Sequence, residues 1–177
     1  APLYNYLKPF PKDVLKQFFT DYGSEISLAK ETASPSLEML NSGLQLYFLK
    51  YAKPKLFSKI HRSLHLPQFL SYLFTNVAVS DFTSIGCHTM LWDFEKQDYH
   101  TWVYTERIDK ILPPIARKKA TIKIKPKSKE INFGIGIHDS SAALLPYLRA
   151  NKNPFLLIST GTWSIALNAF TREGLSE

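Results

Sequence analysis

A mixed α/β fold is what the sequence predicts, and two patterns carry the prediction. Through the first two thirds of the chain, apolar residues recur at spacings of three and four, as amphipathic helices require. In the last third the pattern changes to short apolar runs, "EINFGIGI", "PFLLIST" and "TWSIALNAF", with the helical stretch "SSAALLPYLRA" between the first two. At 177 residues and 45% hydrophobic content the chain can bury one core, hiding roughly 70% of its unfolded surface.

The opening "APLYNYLKPFP" carries three prolines and no initiator methionine, and reads as a loop entered mid-protein. A helix follows Pro11 through Val14, Leu15, Phe18 and Phe19. Ser34 and Pro35 are residue types that begin helices, and Leu37, Leu40, Leu44, Tyr47 and Tyr51 continue from them at helical spacing. Gly43 within that helix costs about 1 kcal/mol relative to alanine, which predicts close packing against a neighbour. Pro54 starts a further turn or two, and "LPQFLSYLF" forms a short apolar helix ending near Thr75 and Asn76. The Ser- and Thr-rich "VAVSDFTSIGCHTMLWDF" fits no period. Tyr99 to Lys110 is read as a helix, broken by "LPPIA". A lysine-rich strand, a second strand, a helix and two further strands complete the chain, without internal repeats.

The net charge of +7 is local. Residues 117–130 hold Arg117, Lys118, Lys119, Lys123, Lys125, Lys127 and Lys129 against Glu130, a net +6 that leaves +1 for everything else. On a strand Lys123, Lys125 and Lys127 would share one face, describing a solvated edge guarded against pairing with other chains. A phosphate or nucleic-acid surface is the alternative, but the stretch lacks the aromatic residues that stack bases. No apolar run approaches the ~20 residues of a membrane span, and no secretory signal opens the chain. The single cysteine, Cys87, excludes an internal disulfide and suits a reducing compartment, so a soluble cytoplasmic protein is expected.

Three motifs are set aside. "GIGIHD" begins like the dinucleotide fingerprint, but Asp139 stands in sixth place and the third glycine is missing. "HRSLH" spaces His61 and His65 like a zinc pair, yet Arg62 replaces the expected glutamate, and a solvated helical face is the better account. Cys87 beside His88 has no activating environment, and neighbours on a strand point to opposite sides.

Asp139 stands where a strand is expected to end and a helix to begin. It either caps the helix or meets a ligand beyond the carboxyl end of the strand, where a carboxylate can accept a proton from a substrate hydroxyl. "STGTW" puts Gly161 between hydroxyl residues at a tight turn, an ordinary hairpin or a cradle of N–H groups for a phosphate.

Together and in this order, "GIHDSSAALLPYL" and "LLISTGTWSIALN" resemble segments of the FGGY family of carbohydrate kinases, nearest to its rhamnulokinase, fuculokinase and xylulokinase branch. Upstream, "NSGLQLYFLKYAKPKLF" is similar to the family's helical stretch, and "SDFTSIGCHTMLWDF" to the run that follows, so the likeness extends from about Pro35 onward. Phe48 replaces a common tryptophan and Asn76 a glycine. The family's first phosphate hairpin, of the Asp-x-Gly-Thr type, and its glycine-rich adenine region have no counterpart.

The resemblance implies a partial ribonuclease H-like (actin-like ATPase) fold. Residues 1–150 would be the later part of the sugar-binding domain, and 151–177 the opening strands of the ATP-binding domain. The implied activity is ATP-dependent phosphorylation of a sugar hydroxyl, on a ketose such as a pentulose or deoxyhexulose. By the same resemblance Asp139 is the general base, His138 touches the sugar or is structural, and Gly161 and Thr162 contact the phosphates of ATP. Trp163 packs at the interdomain cleft or in the core. Mg²⁺ accompanies ATP, with no metal ligand in this chain. The partner is a small-molecule sugar, with neither nucleic acid nor membrane, and a homodimer is left open. The chain alone is expected to be inactive. The alternative is a non-catalytic sugar-binding or structural module on the same scaffold, against which the intact Asp139 speaks.

Overall fold

The computed structural model describes residues 5–116, 121–161 and 163–171. Helix α1 (Lys12–Tyr22) starts behind Pro11 and ends at Gly23, whose N–H donates to the Phe19 carbonyl. Its buried residue is Phe18, as the spacing requires. Helix α2 (Glu25–Thr32) has no counterpart in the periodicity, because only Leu28 and Thr32 are buried along it. Local chemistry makes it: the Ser24 hydroxyl accepts from Ser27 N–H at 3.1 Å, and Glu25 complements the helix dipole in the first turn.

The helix expected from Ser34 begins later, at Ser42. A single 3₁₀ turn, Glu38–Leu40, precedes α3 (Ser42–Ala52), with Glu38 in the left-handed region at φ +52°. Tertiary bonds explain the delay. The Ser34 hydroxyl is spent on Met90 N–H, 3.0 Å away. Asn41, fully buried, accepts from Leu37 N–H at 2.6 Å and donates to the Pro35 and His88 carbonyls at 3.1 and 2.8 Å, which folds residues 35–41 into a loop. Gly43 does pack closely: its N–H donates to the Thr89 carbonyl at 2.9 Å, and a Cβ would stand 2.5 Å from the same oxygen.

Helix α4 (Pro54–Phe57) and helix α5 (Leu66–Thr75) follow the sequence reading, α5 closing at Asn76 in the left-handed conformation. The Ser/Thr-rich stretch yields α6 (Phe82–Ile85), capped by Asp81 through Thr83 N–H at 2.9 Å, and then β1 (Trp92–Asp93). Strand β1 pairs antiparallel with β2 (Asp98–Tyr99). The single helix expected over Tyr99 to Lys110 is therefore three pieces: the end of β2, α7 (Thr101–Thr105) and a 3₁₀ turn at Ile108–Lys110. Tyr99 is held in the hairpin ladder, and Arg107 at φ +56° interrupts the helical path.

The core lies where α1, α3 and α7 meet. Phe18 sits edge-on to Tyr47 and Trp102, with ring centroids 4.9 and 5.1 Å away, and each such pair adds about 0.5–1.5 kcal/mol beyond burial. Trp102 Nε1–H donates to the Met90 carbonyl at 2.7 Å. Beside these rings Glu106 is buried, bonded to the Lys50 ammonium and to the Tyr22 and Tyr51 hydroxyls. Burial opposes its charge, but these donors outweigh it and hold the carboxyl below its ordinary range.

In the last third β3 (Thr121–Ile124) pairs antiparallel with β4 (Ile131–Gly134), α8 (Asp139–Ala150) follows, and β5 (Leu157–Ser159) pairs antiparallel with β6 (Ile165–Leu167). Strands and helices are mixed as expected, in three separate two-stranded ladders among the described residues. Phe74 of α5 stacks on Phe133 of β4 at 5.1 Å, which seats α5 against the β3–β4 hairpin. Lys123, on β3, and Lys125, just past its end, are both exposed and both reach Glu130, at 2.7 and 3.9 Å, whereas Lys127 lies beyond the strand at φ +49°.

Candidate active site

Strand β4 runs out at Gly134, and after four intervening residues α8 begins at Asp139. The residue in the cap position is His138, not Asp139. His138 Nδ1 lies 3.3 Å from Ser140 N and 3.0 Å from Asp139 Oδ1, so a bare Nδ1 caps the helix and a protonated one binds the carboxylate. Asp139 Oδ1 also accepts from Ser140 N–H at 2.6 Å, while its Oδ2 has no hydrogen-bond partner among the described residues. The Asp139 side chain is 92% exposed and that of His138 30%. Because His138 shares the capping, the carboxylate keeps one oxygen turned to solvent.

The turn between β4 and α8 is held from two helices. Ser71 Oγ donates to the Gly134 carbonyl and Gln68 Nε2 to the Gly136 carbonyl, each at 2.8 Å. His138 N–H donates to Thr83 Oγ1 at 2.9 Å. These three side chains were not found from sequence. The available signal was Gln68 and Ser71, two polar residues one turn apart in the otherwise apolar "LPQFLSYLF".

A cleft of about 870 Å³ opens at this point. It is lined by Leu37, Leu40 and Leu66, by His65, Thr83 and Cys87, and by both His138–Ser141 and Trp163–Leu167. The two motifs singled out in the sequence thus meet in one cavity through the start of α8 and the strand β6. Trp163 is exposed at the cleft, not in the core. Gly161 is exposed in the β5–β6 turn and does not line the cleft; a Cβ there would meet open space. Thr162 lies outside the described residues. Asp139 is the single carboxylate and no lysine or arginine appears among the described lining residues. In a more open hollow of about 440 Å³ both carboxylates are engaged, Asp109 by Lys110 at 2.8 Å and Asp98 by the Tyr104 hydroxyl at 2.9 Å.

His65 Nε2 lies 3.1 Å from Ser42 Oγ. Burial, and secondarily the nearby His138, hold its pKa down to about 4, so the ring is neutral at physiological pH. His65 precedes α5 and is half-buried, which excludes both the zinc pair with His61 and the solvated helical face. Burial and then Asp139 push the Cys87 thiol up, the opposite of what a nucleophile needs. Away from the cleft, Glu31, Asp93 and His100 converge, but both carboxylates already have partners: Glu31 the His100 ring at 2.8 Å and Asp93 the Lys96 ammonium at 2.6 Å.

No family model and no curated protein sequence matches the chain. Solved structures do. A carbohydrate kinase from Novosphingobium aromaticivorans is similar over 95% of this chain, at 29% identity and a TM-score of 0.79. A ligand-bound xylulose kinase from Lactobacillus acidophilus is similar over 75% (17% identity, TM-score 0.57), and a glycerol kinase from Plasmodium falciparum with ADP over 82% (19% identity, TM-score 0.60). The matches cover 38%, 29% and 31% of those three proteins respectively, well under two thirds of their lengths. No helix among the described residues is long and apolar enough to cross a membrane. The structural neighbours of this chain are carbohydrate kinases, and it shares its fold with a segment of them.

Proposed function

We propose that this chain is part of an ATP-dependent sugar kinase of the FGGY type, in which Asp139 is the general base. The observation that carries the reading is a carboxylate lining the 870 Å³ cleft, 92% exposed, whose Oδ2 has no hydrogen-bond partner among the described residues. Such an oxygen can accept a hydrogen bond from a sugar hydroxyl, align it, and take its proton as the hydroxyl oxygen bonds to phosphorus. ATP supplies the γ-phosphoryl group. Neutral His65 offers the sugar a hydrogen bond without a charge, and the substrate class that the resemblance implies is a ketose such as a pentulose or deoxyhexulose.

The resemblance assigns the phosphates of ATP to Gly161, exposed in the β5–β6 turn, and to Thr162, which follows it in the sequence with a hydroxyl. Those two residues would hold ATP. Among the described lining residues Asp139 is the single carboxylate, which is no ligand set for Mg²⁺. Within an actin-like arrangement we take residues 1–150 as the later part of the sugar domain and 151–177 as the opening of the ATP domain. By this reading the chain alone does not turn over. Replacing Asp139 by Asn in the full-length gene product, with ADP release as the readout, tests the assignment.

A further inference from the structure

We propose that Gln68 and Thr83 are positioning residues for Asp139, acting on the carboxylate through the turn that carries it. The inference rests on the reading of Asp139 as the base.

Residues 135–138 lie between the end of the β3–β4 ladder and the start of α8, so their backbone groups need partners from elsewhere. Thr83 supplies one at the N–H of His138, the residue directly before Asp139. Gln68 supplies another at the Gly136 carbonyl, two residues further back. Together they fix the path on which the carboxylate is carried. Ser71, at Gly134, anchors the strand end and is further from Asp139 along the chain.

Both side chains are themselves held for this task. The Thr83 hydroxyl donates to Asp81 Oδ1, which also receives Thr83 N–H at 2.9 Å, so its lone pair is presented to His138 and does not rotate freely. Gln68 is 1% exposed, and its buried Oε1 has no hydrogen-bond partner among the described residues. A side chain kept only to fill space would not bring a lone acceptor into the interior, whereas one kept for its donor must carry it along. The α5 backbone also closes on the turn at Gly136, where a Cβ would stand 2.5 Å from the Pro67 carbonyl oxygen.

Reaction demands this precision. A catalytic group must sit within about 0.5 Å of its productive position, and a displacement of about 1 Å costs on the order of 100-fold in rate. Loosening the turn should therefore lower kcat and leave substrate binding nearly intact.

The test uses the full-length gene product with ATP and a panel of uncharged ketoses, aldoses and polyols that includes xylulose and glycerol. Thr83→Val keeps the side-chain volume and removes the acceptor; kcat should fall roughly 10- to 100-fold, with both KM values within about threefold. Thr83→Ser should restore kcat to within about threefold of wild type. Gln68→Met, similar in length but without a donor, should repeat the loss, and it decides the matter if Thr83→Val fails to fold. Added to Asp139→Asn, neither change should lower kcat further, because both act through that carboxylate. If Asp139→Asn collapses turnover while Thr83→Val and Gln68→Met stay within twofold, the positioning role is wrong and the base assignment stands. Near-normal turnover by Asp139→Asn, or none by the wild type on the whole panel, overturns both.

Discussion

Gly136 and Pro67 meet backbone to backbone: a Cβ on Gly136 would lie 2.5 Å from the Pro67 carbonyl oxygen and 2.7 Å from its carbon. Gly136 also has φ +82°, a conformation that L side chains rarely adopt. The two glycines of "FGIGIHD" thus differ in kind, since a Cβ on Gly134 would touch nothing within 4 Å. Only the second is required by the geometry, and it lies three residues before Asp139.

Gly136→Ala should therefore be costly and Gly134→Ala cheap. The left-handed backbone and the clash together predict a loss of about 2–4 kcal/mol for Gly136→Ala. For Gly134→Ala, in a strand with open space, the change should stay below about 1 kcal/mol in either direction. Urea denaturation of the two variants measures this; equal effects would mean that Pro67 yields to the new side chain.

Asp139→Asn should separate catalysis from capping. His138 remains as cap, and the amide oxygen can still accept from Ser140 N–H, so the melting temperature should hardly move. The amide cannot take up a proton as the carboxylate does, so kcat of the full-length protein should fall by roughly 10² to 10⁴, with sugar KM changed much less. Steady-state kinetics with a thermal melt checks both halves, and near-wild-type turnover would remove Asp139 as the base.

His65 predicts a pH window for stability. Its pKa is held at about 4, against 6.5 for an unperturbed histidine, so between those values the unfolded chain binds a proton that the folded chain refuses. Stability due to neutral His65 is then complete above pH 6.5 and declines as the pH falls toward 4, by on the order of 2–3 kcal/mol. His65→Gln should flatten that slope. Glu106, whose pKa is depressed, acts in a lower window: its contribution is present above about 4.5 and is lost as the pH falls below it. Denaturation midpoints from pH 3 to 8 distinguish the two, and a wild-type curve level from 6.5 to 4.5 would count against the His65 assignment.

Glu106→Gln should destabilise the helical core without touching the cleft. The carboxylate gathers Lys50, Tyr22 and Tyr51 from α3 and α1, and losing its charge leaves the Lys50 ammonium half-buried without a counter-ion. Removing one member of such a cluster costs roughly 2–4 kcal/mol. Urea midpoints measure the loss; a change under about 0.5 kcal/mol would show that water replaces the carboxylate.

What the sequence by itself determined was local. Helix α1 follows from the Phe18 stripe behind Pro11, α5 ends where Asn76 can turn left-handed, the β5–β6 hairpin follows from two apolar runs around "STGTW", and Gly43 announced its contact. Each depends on residues a few positions apart, or on an absence of side chain that only a close neighbour explains. The tertiary structure decided the rest through bonds that span much of the chain. Ser34 does not start a helix because Met90 takes its hydroxyl, and Asn41 shapes a loop because His88 lies across from it. Likewise Asp139 looked like a cap until His138 shared that role, its N–H drawn to Thr83, fifty-five residues earlier. Local preferences differ by about 1 kcal/mol or less, so one buried hydrogen bond from a distant segment is enough to overrule them.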